Sequence, residues 1–245
     1  MERLETRLYC GIAPLIAASS YLCGIQSSIM VHELSKHNSV FNTYLAEIRD
    51  AVIQQDRLRF RTNLERMGQI MAYEISKTFD YEEKEVVTPL GEAPVHLPKE
   101  QPVLISILRA GLPFHQGFLA AFDRADNGFI SAYRRSHKGG DFEIEIEYVS
   151  CPNIDQRIVI LIDPMLATGS SVECAYKSLR AKGTPARIHV ASAIASLQGI
   201  EHVRKRLPGD VMIWAGAIDA ELTAQAYIVP GLGDAGDLAY GIKNS

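Results

Sequence analysis

The side chains best suited to chemistry lie together in Asp163-Pro164-Met165-Leu166-Ala167-Thr168-Gly169-Ser170-Ser171. Small residues let backbone N–H groups close around an anion there, and the hydroxyls of Thr168, Ser170 and Ser171 add donors. With a helix starting at this point, its N-terminus contributes partial positive charge, and the whole reads as a cradle for a monophosphate. Asp163 has a different task, because a carboxylate repels phosphate but accepts hydrogen bonds from sugar hydroxyls and can hold a metal-bound sugar. A plainer reading of the same residues, an N-cap preceded by a turn acid, also satisfies the composition. Two other groupings imitate chemical motifs. Gly231-Leu232-Gly233-Asp234-Ala235-Gly236 has the GxGxxG spacing, but the nine residues after it leave no room for the crossover helix, second strand and later acid of a dinucleotide site. His32, Glu33 and His37 have the spacing HExxxH; an offset of five puts the imidazoles on different helix faces, so these are expected to be solvated polar residues.

Positioning such a loop takes a buried strand before it and an amphipathic helix after it. Arg157–Ile162 and Val103–Leu108 are short apolar, β-branched runs without alternation, as expected for strands covered on both faces of a parallel sheet. His189–Ala195 and Val211–Trp214 are weaker versions. Val172, Ala175, Tyr176 and Leu179 recur at helical core spacing just after the loop, and a second helix is expected from Gln198 to Arg206, before Pro208. In the first third, Leu45, Ile48 and Val52 share one helical face, and Leu64, Met67, Met71 and Ile75 another. Alternating strands and helices predict an α/β fold with right-handed crossovers and with ligands beyond the carboxyl ends of the strands. Phe142–Val149 alternates strictly after His137-Lys138-Gly139-Gly140-Asp141, which predicts a projecting hairpin with one apolar and one acidic face. Between Phe79 and Pro102, the prolines 89, 94 and 98 and Gly91 predict a connector with one strand at Glu85–Thr88.

Composition sets the outer bounds. With 245 residues, 47% hydrophobic and 22% charged, the chain can bury a core without disulfides or structural metal. Lys and Arg number 25 against 29 Asp and Glu, a formal net charge of −4, which disfavours a general nucleic-acid or membrane-surface binder. Cys10, Cys23, Cys151 and Cys174 show neither CxxC nor metal-finger spacing and read as reduced thiols of a cytoplasmic protein. Leu8–Gly24 is nearly uncharged, yet Glu2, Arg3, Glu5 and Arg7 precede it and Gly11 and Pro14 interrupt it. It therefore suits neither a signal-peptide core nor a membrane span.

Several of these residues also carry a resemblance. Asp163–Ser171 is similar to the phosphoribosyl-pyrophosphate (PRPP) loop of type I phosphoribosyltransferases, and Asp163-Pro164 resembles the variant found in uracil phosphoribosyltransferases. In the same order as in that family, Ile107-Leu108-Arg109-Ala110-Gly111 resembles the pyrophosphate-binding loop and Ala132-Tyr133-Arg134 the next phosphate-contacting strand end. Tyr227 to Asp237 (YIVPGLGDAGD) resembles the uracil-binding loop, and Phe60–Leu64 with Tyr73-Glu74 the N-terminal helices. The resemblance runs from about Val40 to Gly241. It implies the type I phosphoribosyltransferase fold: α/β, with a central mostly parallel sheet flanked by helices, a projecting β-hairpin arm and a C-terminal base-binding loop, forming a single domain over residues 30–245. It implies catalytic roles for Asp163, Arg109 and Asp234. PRPP is then bound by Arg109, Arg134, Asp163, Pro164, Met165, Leu166, Ala167, Thr168, Gly169, Ser170, Ser171 and Asp234, and uracil by the backbone at Ile228, Gly233 and Ala235, beside Asp234. These roles make physical sense: a guanidinium fork suits pyrophosphate better than a lysine point charge, and near-absent side chains at Gly233 and Ala235 let peptide groups approach a base.

The implied reaction is uracil plus PRPP giving UMP plus pyrophosphate, a pyrimidine-salvage pentosyl transfer, with Mg²⁺ bound mainly through PRPP and not directly by protein ligands. A homodimer or larger homo-oligomer, with GTP as the allosteric activator known in some relatives, belongs to the same expectation, with no membrane or nucleic-acid partner. The alternative on this scaffold is a UMP-sensing, RNA-binding regulator with weak or absent catalysis; net charge and the lack of a basic face argue against it. Three residues depart from the family pattern. Arg135 follows Tyr133-Arg134 where an acid is usual, so Arg134 is the implied contact and Arg135 a solvated charge. Ser170 stands where Gly is usual, either straining the loop or adding a donor, and Leu238 stands where a basic residue is usual. Met1 to Ile29 match nothing in the resemblance and are expected to be an extension, with translation starting at Met30.

Overall fold

A computed structural model describes residues 30–136, 142–208 and 210–242, with 133–136 and 142–145 described by backbone alone. The expected extension, residues 1–29, and residues 137–141 lie outside the described residues. The elements in chain order are β1 (Val31–Glu33), α1 (Val40–Arg49), α2 (Arg57–Ser76), β2 (Tyr81–Thr88), β3 (Gly91–Pro98), β4 (Val103–Leu108), α3 (Gly111–Ala121), β5 (Asp126–Ser136), β6 (Phe142–Ser150), β7 (Ile158–Ile162), β8 (Met165–Leu166), α4 (Ser170–Leu179), β9 (Arg187–Ser196), α5 (Leu197–Arg206), β10 (Met212–Asp219), β11 (Glu221–Leu222), β12 (Ile228–Val229) and α6 (Ala235–Tyr240). The main sheet runs β1-β10-β9-β7-β4-β5-β6, with β8 beside β9. Every pairing in it is parallel except β5 with β6.

The unalternating apolar runs are buried on both faces, as expected. Along β7, Ile158, Ile160 and Ile162 enter one hydrophobic cluster and Val159 and Leu161 the other. The first cluster is closed by α1, α2, α3 and α6 through Phe41, Leu64, Met67, Met71, Phe114, Phe118 and Ala239. The second is closed by α4 and α5 through Val172, Leu179, Ile200 and Val203. Local chemistry fixes where these helices begin: Ser39 accepts from Phe41 N, Asp56 from Leu58 N and Arg59 N, and Ser196 from Gly199 N. Val52 lies past the end of α1 and is exposed, so the buried helical face there is Phe41, Leu45 and Ile48.

One expectation changes and another holds. The proline-rich connector is an antiparallel hairpin, β2 with β3, in place of one strand at 85–88. Pro94 and Pro98 are tolerated because each strand of a two-stranded ribbon has an outer edge that needs no ladder donor. The β5–β6 hairpin matches its expectation and projects, since β5 pairs with β4 only through Ser131. The register shifts between Ser131 and Ala132, with Tyr148 opposite the first and Ile146 opposite the second, so Glu147 is the extra residue of a bulge that turns the arm away from the sheet. Among the described residues, no helix is long and apolar enough to cross a membrane.

Candidate active site

The carboxyl ends of β4, β7 and β10 lie on one rim of the sheet because these strands are parallel. Neighbours β4 and β7 send their following helices, α3 and α4, to opposite faces. That reversal opens a crevice above the two strand ends, the usual ligand position in such sheets.

Asp163 follows β7 directly. Its N–H donates to Ala191 O at 3.1 Å, and its Oδ1 accepts from Met165 N at 3.2 Å. The chain then runs through β8, alongside β9, before α4 begins. Gly169 sits at φ +80°, where an added Cβ would lie 2.9 Å from Gly199 O and 3.1 Å from His202 Cβ, so both conformation and space demand glycine. The loop is seated on the start of α5: Ser196 Oγ donates to Ala167 O at 2.5 Å, and Gly199 approaches Ala167 O too closely for any side chain. Thr168 Oγ1 donates to Ser170 Oγ at 3.1 Å and accepts from Ser170 N at 3.3 Å. Ser170 is the first helical residue and is not in the left-handed region, so this departure places a hydroxyl in the loop without backbone strain. Pro164 and Leu166 are buried, Leu166 within the second cluster, so they face the site with backbone only. Behind α4, Glu173 Oε2 is 2.6 Å from His202 Nε2, and Glu173 Oε1 is 2.7 Å from Lys177 Nζ. The hydrogen bond from Lys177 holds the Glu173 carboxyl below its ordinary range despite opposing burial, with His202 adding to the effect.

The loop after β4 packs against that of β7 at backbone distance: a Cβ on Gly111 would meet Ile162 O at 3.0 Å and Ser106 Oγ at 2.6 Å. Arg109 therefore leaves its strand beside Asp163. Its Nη2 donates to Asp237 Oδ1 at 2.5 Å and to Gly241 O at 2.8 Å, while Nε is buried without a hydrogen-bond partner. Arg134 lies on the outer part of β5, beyond the β4 pairing, and is described by its backbone alone.

After β10 the chain crosses through β11 and β12 to the glycine-rich segment. Ile228 and Ala235 are buried, at 4% and 3% exposure, so only their peptide groups can reach a ligand. Gly233, at φ +94° with nothing within 4 Å of a built Cβ, and Asp234 are exposed between them. Asp234 caps α6 by accepting from Asp237 N at 3.0 Å. Gly236 brings this segment to Arg109, whose Nε lies 3.4 Å from its built Cβ. The structure thus brings together Arg109, Asp234 and the 233–237 segment, and sets the Arg109 loop against the Asp163 strand end. Beside the segment, a cavity of about 370 Å³ is lined by Gln54, Arg57, Gly233, Asp234 and Leu238, so the departure at 238 gives this wall a partly buried apolar side chain packed on the core.

Residues that local patterns did not reveal hold the segment from the helical side. Arg49 binds Asp219 with both terminal nitrogens and also donates to Gly231 O; Arg61 Nη1 donates to Ala239 O at 2.8 Å. Turned so that its amide nitrogen faces its acceptors, Gln54 donates to Leu232 O at 2.9 Å. Arg61 lay within a segment resembling the family's helices; the others carried no signal, because their partners are far along the chain.

His32 corrects an expectation. It is not a solvated polar residue: it belongs to β1, is half-buried, and stacks on Trp214 with ring centroids 4.0 Å apart and an 11° interplanar angle. Burial lowers its pKa, partly offset by Glu74. His32 and His37 line a cavity of about 480 Å³ with Phe41, Glu74 and Trp214, on elements away from the loops above.

A mostly parallel sheet flanked by helices, with a switch-point crevice and a projecting hairpin arm, is the fold of a type I phosphoribosyltransferase. The uracil phosphoribosyltransferase family profile matches residues 34–242, and the chain belongs to that family. It is 53% identical over 213 residues to a uracil phosphoribosyltransferase of Porphyromonas gingivalis, covering 87% of this chain and 99% of that one. Identity to the Pyrococcus furiosus uracil phosphoribosyltransferase is 40% over 200 residues, covering 80% and 84%. The structure also resembles that of the AQ2163 protein from Aquifex aeolicus, with a TM-score of 0.77, 31% identity and coverage of 88% and 100%.

Proposed function

We propose that this chain transfers the 5-phosphoribosyl group of PRPP to N1 of uracil, releasing pyrophosphate and giving UMP. The observation that carries the reading is the place of Arg109: its loop packs against the residue before Asp163, and its guanidinium reaches the 234–241 segment. A 5′-phosphate in the 167–171 loop, a ribose at Asp163, a pyrophosphate at Arg109 and a base at 228–235 then form one contiguous site. The orphaned Nε of Arg109 supports an anion role, because a buried donor without a partner gains most from a charged acceptor.

In this reading the bond from the anomeric carbon to pyrophosphate breaks ahead of the new bond to N1, with the ring oxygen sharing the positive charge. The protein's task is placement and charge stabilisation. Amides and hydroxyls at 167–171 anchor the phosphate, Asp163 orients the ribose hydroxyls, and peptide groups at Ile228, Gly233 and Ala235 aim the base. Among the described residues no group of three or more His, Cys, Asp or Glu side chains converges to hold a metal ion. Asp163 and Asp234 are hard oxygen donors that suit the surroundings of a Mg²⁺ arriving with PRPP, which would be held mainly by the substrate's own oxygens. When bound, Mg²⁺ supplies neutralisation of the pyrophosphate charge.

The test is pyrophosphate release with PRPP, Mg²⁺ and, separately, uracil, cytosine, hypoxanthine and orotate. Turnover is expected with uracil above all; folded protein that is inactive with uracil rejects the proposal.

A further inference from the structure

We infer that Arg49 and Asp219 are positioning residues for the base, acting through Gly231; the inference rests on the reading of 228–235 as the uracil site. Asp219 ends β10 at 8% exposure, and Arg49 ends α1. Arg49 Nη1 and Nη2 donate to Asp219 Oδ2 and Oδ1 at 2.8 and 2.9 Å. The same two side chains then take both polar groups of one residue: Gly231 N donates to Asp219 Oδ2 at 2.9 Å, and Gly231 O accepts from Arg49 Nη1 at 3.0 Å. A fork–fork pair fixes planar geometry as well as distance, so it sets the orientation of the residue it holds.

Gly231 is where orientation matters. It lies at φ +53°, and an added Cβ would stand 2.1 Å from Ile228 O, so the chain turns back on itself here with no room to relax. Upstream, Ile228 is fixed by its pairing with Leu222; downstream, Asp234 is fixed as the cap of α6. The clamp is the third fixed point and lies between them. With it, the peptide groups of Ile228, Gly233 and Ala235 keep one spacing. Without it, the span from 229 to 233 hinges at two left-handed glycines, and the positions that would meet the base separate while the PRPP loop, which belongs to β7 and α4, stays as it is.

The experiment uses the full chain. Arg49→Lys retains the charge but not the fork, and Asp219→Asn retains the size but not the double acceptor. Each should raise KM for uracil about tenfold, the effect of losing one charge-assisted hydrogen bond. KM for PRPP should stay within about twofold, as for the control Arg59→Ala, which removes an exposed pair with Glu47. Amide exchange in the unliganded protein is the second readout: Gly231 should be protected in the wild type, and 231–235 should exchange faster in Asp219→Asn while 163–171 do not change. Equal rises in KM for both substrates, an unchanged KM for uracil, or an unprotected Gly231 amide in the wild type overturns the inference. Wild-type protein that does not use uracil rejects the underlying reaction instead, and the exchange result still tells whether the clamp orders the loop.

Discussion

Arg109 faces two demands that are met by different atoms. Nη2 is held by Asp237 and Gly241, whereas Nε is buried without a partner. Removing the side chain takes away the cation proposed for pyrophosphate and the tie to the base segment together. We therefore expect Arg109→Ala to lower kcat/KM by roughly 10²-fold or more, the scale of losing one charge-stabilising group, in steady-state assays varying each substrate. Asp163→Asn should cost a comparable factor at the ribose. His32→Ala, which removes a ring stacked on Trp214 away from the crevice, should lower thermal stability and leave turnover within about twofold; equal losses of turnover in all three would refute the site assignment. Gly169→Ala should raise KM for PRPP, because its φ of +80° and the contacts to Gly199 and His202 force the loop to shift. The 163–171 loop was legible in the sequence because its chemistry is local, a run of small and hydroxyl residues between a buried strand and a helix. Arg49, Gln54 and Asp219 were not, since an arginine in the last turn of an amphipathic helix looks the same whether it is solvated or clamps a residue 182 positions later.

Elements transmit these placements through close packing. Helices α2 and α3 meet at two glycines: a Cβ on Gly117 would lie 2.0 Å from Glu65 O, and one on Gly68 would lie 2.4 Å from Phe114 O. The contact sets how far α3, which starts at the Arg109 loop, stands from the helix whose Arg61 holds Ala239. Neither glycine has room for a methyl group, and the obstruction is backbone that cannot rotate away. Gly117→Ala is expected to destabilise the fold by about 3 kcal/mol, read as a lower urea midpoint at unchanged slope. A loss below roughly 0.5 kcal/mol, the size of an ordinary surface change, would show that the helices separate freely. Strands β4, β6, β7, β9 and β10 of the main sheet and helices α2, α4 and α5 were legible because burial on one or both faces imposes a pattern on the residues. The β2–β3 hairpin was not, because it packs mainly on itself and its side chains are largely exposed, leaving prolines as the dominant local signal. Likewise β1, three half-buried residues at a sheet edge, is set by pairing with β10 and not by any pattern of its own.

The molecule as a whole carries histidines that are buried in their neutral form, and this couples its stability to pH. His189, fully buried on β9, accepts from Trp214 Nε1 at its Nδ1, 3.1 Å away. A proton on Nδ1 would face that indole N–H, and burial, reinforced by Arg187 and His32, pushes the pKa down to about 3. Unfolded chain takes up this proton near the ordinary histidine value of about 6.5. Between those two values the unfolded state binds more protons than the folded one, so stability is complete above the upper value and falls as pH drops toward the lower. The slope from one such group approaches 2.303RT, about 1.4 kcal/mol per pH unit. Burial lowers His32 and His115 as well, so they act in the same direction. The carboxylates of Glu47, Asp50, Glu82 and Glu173 are held below their ordinary values, so their contribution is lost only as pH falls below the ordinary carboxylate range. From pH 6 to pH 5 the histidines therefore dominate. His189→Gln keeps an acceptor for Trp214 Nε1 and cannot titrate. Urea unfolding of wild type and variant at half-unit pH steps should give a shallower decline for the variant over that interval, whatever the absolute cost of the substitution at pH 8. Parallel declines would mean that His189 takes its proton without unfolding the protein, and that the β9–β10 core opens to admit the charge.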